Sequence, residues 1–96
     1  MSEITITRAH TLTPRKARLA AESVAAGLQS DFNLDYAWDD EHTLSFSRPG
    51  LTGRLTLERR QVTVHVRLGL IFSPFRAVLE REIHDYFDQR FTPRAA

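Results

Sequence analysis

Ninety-six residues, 42% of them hydrophobic and 26% charged, suffice for one domain with one core and fit neither a disordered nor a fibrous chain. The absence of cysteine excludes disulfides, thiolate zinc sites and cysteine nucleophiles, and it suits a reducing cytoplasm. The net charge is only +1, yet residues 1–48 hold five basic and seven acidic side chains and residues 49–96 hold eight and five.

The N-terminus, Met1 to Thr5, has neither the basic start nor the apolar stretch of a signal peptide, so a cytoplasmic protein is expected. Ile4 and Ile6 alternate with Thr5 and Thr7, the period of a half-buried strand. Thr13-Pro14 reads as an N-cap followed by proline at the first helical position. The helix is predicted over 14–30, with Ala17, Ala20, Ala21, Val24, Ala25 and Leu28 as its apolar stripe.

Four strand-like segments follow. Leu34, Tyr36 and Trp38 share one parity, and Leu44 and Phe46 share another beyond an acidic turn at 39–41. Pro49-Gly50 marks the next turn, and Leu51, Gly53, Leu55 and Leu57 then alternate with polar residues. After a charged reversal at 58–60 come Val62, Val64, Val66 and Leu68. The apolar run Leu68 to Phe72 is far too short to span a bilayer. Ser73-Pro74 repeats the cap-then-proline signal and opens a second helix to about Phe91, with Phe75, Val78, Leu79, Ile83, Tyr86 and Phe87 facing the core. Pro93 ends it, so the domain is expected over 1–92 with a frayed tail at 93–96.

The order β-α-β-β-β-β-α predicts an α+β fold. Short turns demand an antiparallel meander, and a single apolar parity places both helices on one face of a curved five-stranded sheet. By analogy with a reduced helix-grip arrangement, the expected strand order is 1-5-4-3-2.

Arg8-x-His10-x-Leu12, Trp38, Leu44-x-Phe46-x-Arg48-x-Gly50-Leu51-x-Gly53 and Leu68-Gly69 stand in an order that, with the amphipathic C-terminal helix, resembles the polyhydroxyalkanoic acid system protein family. The resemblance covers nearly the whole chain. It implies a small bacterial protein associated with polyhydroxyalkanoate storage granules or their genes, and it brings no catalytic residues.

Several residue sets compete for a functional role. The polar parity of the strands, including Thr5, Thr7, Ser45, Thr63, His65 and Arg67, offers no aromatic on which a base could stack, so a solvated face is expected and no nucleic acid. Arg15, Lys16 and Arg18 oppose the first helix's macrodipole. They suit either an anionic partner or solvation, with Arg18 paired to Glu22 one turn on. His84 aligns with Glu80 and Asp88 on a solvated helix face, and no metal or cofactor is expected.

Two sets remain. Arg8, His10 and Arg48, with Trp38, are candidates for the mouth of a pocket that binds a carboxylate or phosphate, or else arginines snorkelling from a core edge. The segment 68–75 is apolar on both parities, so Leu70, Ile71, Phe72 and Phe75 are candidates for a docking patch or for a loop tucked under the second helix. The leading expectation is a non-enzymatic accessory module that meets a polyhydroxyalkanoate granule surface or a granule-coat protein through this patch. The alternative is a small-ligand binder for an acyl or hydroxyacid group. An exposed sheet edge or the apolar segment would also suit a homodimer.

Overall fold

The computed structural model describes residues 2–91. The expected stop at Pro93 and the tail at 93–96 lie outside the described residues. Strands β1 (Ser2–Ala9), β2 (Asp35–Trp38), β3 (Thr43–Arg48), β4 (Leu51–Leu57) and β5 (Gln61–Leu68) form one antiparallel sheet in the order β1-β5-β4-β3-β2. Helix α1 spans Pro14–Phe32 and helix α2 spans Arg76–Arg90. The α+β fold and the strand order are those expected from the sequence.

Register sorts the apolar residues into rows that run across the sheet. One row joins Ile6, Val64, Leu55, Leu44 and Trp38, and the next joins Ile4, Val66, Gly53, Phe46 and Tyr36. A third row, at one end, joins Ser2, Leu68, Leu51 and Arg48. Arg8, Val62 and Leu57 form a fourth at the other end. Side chains of one row share a face because alternate strand residues point the same way.

Helix α1 lays Ala17, Ala21, Val24, Ala25 and Leu28 on this face. Its start is capped as expected: the Thr13 hydroxyl accepts the Lys16 amide hydrogen at 3.3 Å, with Pro14 in the first turn. The helix runs two residues past the predicted end and stops at Asn33, whose φ of 57° and N–H donated to Gln29 O close it. Asparagine is among the few residues that enter the left-handed region readily.

Helix α2 departs from expectation in two ways. A 3-10 turn, Ser73–Phe75, precedes it, and Ser73 is no cap: its hydroxyl donates to Gly69 O at 3.1 Å. The buried stripe is Leu79, Ile83 and Phe87, continued by Phe91. Phe75 and Val78, expected in the core, are 51% and 52% exposed. A 3-10 turn advances three residues per turn instead of 3.6, which takes Phe75 off the line of Leu79 and Ile83. Val78 lies about 100° around the helix from Leu79.

Two glycines permit close approach. A Cβ on Gly53 would come within 2.3 Å of the Phe46 ring, which lies across it. At Gly27, a Cβ would meet Tyr86 Cζ at 2.5 Å, so the Tyr86 ring rests on α1 and its hydroxyl donates to Asp31 Oδ2 at 2.6 Å.

Gly53→Ala should destabilise the domain by about 1–3 kcal/mol in urea denaturation, because the buried Phe46 must leave its rotamer. The bond to the Asp31 carboxylate, with burial, pushes the Tyr86 phenol from 10.0 up to about 12. A raised folded pKa favours the protonated form, so its contribution is complete below pH 10 and is lost as pH climbs towards 12. The stability gap between parent and Tyr86→Phe should therefore stay constant from about pH 7 to 9 and close above pH 10, as read by denaturant melts across pH.

Candidate functional site

The four residues of the expected pocket mouth are not brought together. Arg8 and Arg48 stand in the two end rows, six residues apart along the strands and three strands apart across the sheet. At ~3.4 Å per residue and ~4.8 Å per strand, they are separated by roughly 20 Å one way and 14 Å the other. Trp38 lies on β2, at the opposite sheet edge from β1, which carries Arg8. Shared parity places all of them on one face, but parity carries no information about row or strand position.

Each has its own local partners. Arg8 forms an ion pair with Asp88, and its Nη2 lies 3.2 Å from His84 Nδ1. Trp38 lies under the guanidinium of Arg18, 4.2 Å from ring centroid to Cζ. Arg18 crosses to the sheet in this way instead of serving Glu22, and it donates to Glu41 O at 3.2 Å.

His10 is buried, with 4% of its surface exposed. Its Nδ1 accepts the Leu12 amide hydrogen at 3.1 Å, so the proton sits on Nε2 and is donated to Glu58 O at 3.2 Å. The ring also tilts against Phe91, with centroids 5.6 Å apart. Both nitrogens are engaged, and the imidazole acts as a tie between the β1–α1 loop and the β4–β5 turn. It borders a cleft of about 630 Å³ whose lining sets Arg15, Arg18 and Arg59 against Glu41 and Glu58, so most of its positive charge is offset.

On the uncovered face, His65 lies 3.1 Å from Glu3 Oε1 and 3.0 Å from Thr5 Oγ1. The order of groups is that of a hydrolytic triad. All three are exposed, Glu3 and Thr5 on β1 and His65 on the paired β5, and none of them lines the His10 cleft or the cleft at Arg48. Among the described residues, no three side chains of metal-ligating type converge.

The end of the sheet carrying Arg48 is different. After Leu68 the chain turns tightly at Gly69, whose N–H donates to Gly50 O at 2.8 Å and whose carbonyl accepts from Phe72 and Ser73 amides at 3.1 and 3.0 Å. Gly50 has φ +88°, as the second position of a Pro-Gly turn requires. This knot throws Leu70 and Ile71 outward, 79% and 77% exposed, and neither fills the core. Phe72 alone turns inward, over Gly50 and the guanidinium of Arg48. With Phe75 and Val78 half exposed, the end surface is apolar across a loop, a 3-10 turn and the first turn of α2.

Beside it lies a cleft of about 440 Å³ lined by Asp31, Phe32, Asn33, Arg48, Phe72, Phe75 and Val78. Arg48 Nη1 donates to Phe32 O at 2.8 Å, and its buried Nε has no hydrogen-bond partner. Among the described residues, no carboxylate lies within ion-pair distance of it. Helical spacing predicts Val78 in the core, and nothing local in the sequence signals its exposure.

Fold and surface together define a class: a small antiparallel α+β domain, two helices on one sheet face, with an exposed apolar surface at one end. A family model described as "Putative polyhydroxyalkanoic acid system protein" matches residues 4–91. The chain belongs to the polyhydroxyalkanoic acid system protein family. No curated protein and no solved structure matches it significantly. Among the described residues, no helix is long and apolar enough to cross a membrane.

His10→Ala should cost about 2 kcal/mol in thermal or urea unfolding, since it strands the Leu12 N–H and the Glu58 carbonyl and removes packing from Phe91.

Proposed function

We propose that this protein is a non-enzymatic accessory of polyhydroxyalkanoate storage that docks on the granule through its apolar end surface. The observation that carries the reading is the outward placement of Leu70 and Ile71, continued by Phe75 and Val78 and backed by Phe72. Covering a leucine or isoleucine side chain is worth ~1.5–3 kcal/mol, so two such residues and a flanking phenylalanine suffice for reversible attachment to an oily surface. Membership of the polyhydroxyalkanoic acid system family supports the choice of the storage polymer as that surface.

A granule-coat protein and a second copy of this chain are competing occupants of the same surface. The acyl- or hydroxyacid-binding alternative loses its expected entrance, because Arg8 and Arg48 stand at opposite ends of the sheet. The space between sheet and helices is occupied by Leu28, Phe46, Phe87 and Phe91, all buried.

Purified protein should co-sediment with polyhydroxybutyrate particles, and Leu70→Glu/Ile71→Glu should bind at least about tenfold more weakly with an unchanged melting temperature. Parent protein left in the supernatant would overturn the reading. Sedimentation without particles that the same double variant abolishes would assign the surface to self-association instead.

A further inference from the structure

The apolar surface contains one polar group that its neighbours do not satisfy. Arg48 carries five N–H donors in a planar fork, and Phe32 O engages one of them, on Nη1. Nε is buried without a partner, and an unmatched buried donor is costly. The edge formed by Nε and Nη2 is therefore the side of the guanidinium with hydrogen-bonding capacity to give.

The surroundings select the chemistry of the missing acceptor. Phe32 is the last residue of α1, so Arg48 sits at the negative end of that helix's dipole and its charge is already partly balanced. The Asp31 carboxylate lines the same cleft, held by the Tyr86 hydroxyl at 2.6 Å, and it disfavours an incoming anion. Phe72, 4.8 Å over the guanidinium, and Phe75 and Val78 make the remaining walls apolar. What fits is a neutral oxygen acceptor carried on an aliphatic chain.

We infer that Arg48 is a specificity-determining residue which donates from its Nε/Nη2 edge to an ester carbonyl of an aliphatic polyester, so that the surface discriminates polyester from plain hydrocarbon. The inference rests on the docking reading above and adds the group recognised. An ester carbonyl accepts without donating, and a guanidinium donates without accepting, so the two are complementary. Phe72 covers the guanidinium in the structure, so the inference requires its ring to move aside as the chain enters.

Binding to polyhydroxybutyrate and to polyethylene particles of equal surface area, by parent, Arg48→Met and Arg48→Lys, tests this. Lysine keeps the charge and a donor for Phe32 O but lacks the planar edge, so it remains informative if Arg48→Met folds poorly. The parent should prefer the polyester by about fivefold to tenfold, and the variants should bind both particles alike, at the parent's polyethylene level. Equal binding of both particles by the parent, or a preference kept by the folded variants, would overturn the inference while leaving granule docking standing. Failure of the parent to bind either particle would remove both. In a parallel titration, the Arg48 Nε–H signal in 15N–1H spectra should shift with the methyl ester of a linear 3-hydroxybutyrate trimer. A shift with the free acid alone would identify a carboxylate site and overturn the ester assignment.

Discussion

Covering one apolar sheet face is the constraint on which the rest of this structure depends. Rows such as Ile6–Val64–Leu55–Leu44–Trp38 present a continuous oily surface on one side, while Thr5, His65 and Arg54 line the other in water. Two helices must therefore share one face. Alanines at 17, 21 and 25 bring α1 close to the sheet, and larger residues of α2 fill what remains. Phe87 and Phe91 pack edge to face, 5.4 Å apart at 71°, where α2 ends. The helices meet where Gly27 leaves room for Tyr86.

The same constraint shapes the candidate site. Beyond Leu68 the sheet has no further row, yet the chain must reverse from β5 and return over the face as α2. At the other end such a reversal is made by charged residues, Glu58, Arg59 and Arg60. Here it is made by Gly69, Leu70, Ile71 and Phe72, and only Phe72 finds partial cover. Exposed apolar side chains of this size contribute nothing to the core, and their clustering at one end is the feature on which the proposed docking rests. Arg48 sets that surface apart from a plain oily patch, because its planar fork lies among aromatic neighbours.

Much of the fold was legible from local pattern. Alternation in strands, threonine-proline before α1 and Pro49-Gly50 between β3 and β4 each correspond to an element observed in place. Ser73-Pro74 was misleading: the same dipeptide signal led to a 3-10 turn, since the Ser73 hydroxyl is engaged by Gly69 O and Ser2 Oγ. The first is a local bond to the carbonyl four residues back, and the second comes from the far end of the chain, where no local rule anticipates it. The candidate site was half legible. Residues 70–75 stood out because both parities were apolar, but which of them would be covered depended on the Gly69–Gly50 bond.

What the sequence determined by itself is the set of faces: which residues turn inward, which turn to water, and where the chain reverses. These follow from periodicity and from residues with restricted backbones, both local properties. What only the tertiary structure decided is which distant residues are neighbours. Arg8 joined Asp88 and His84, Arg18 joined Trp38, His10 joined Glu58, and Arg48 joined Phe32 with Phe72. Strand register and helix docking set those meetings, and they are settled by packing across the whole face.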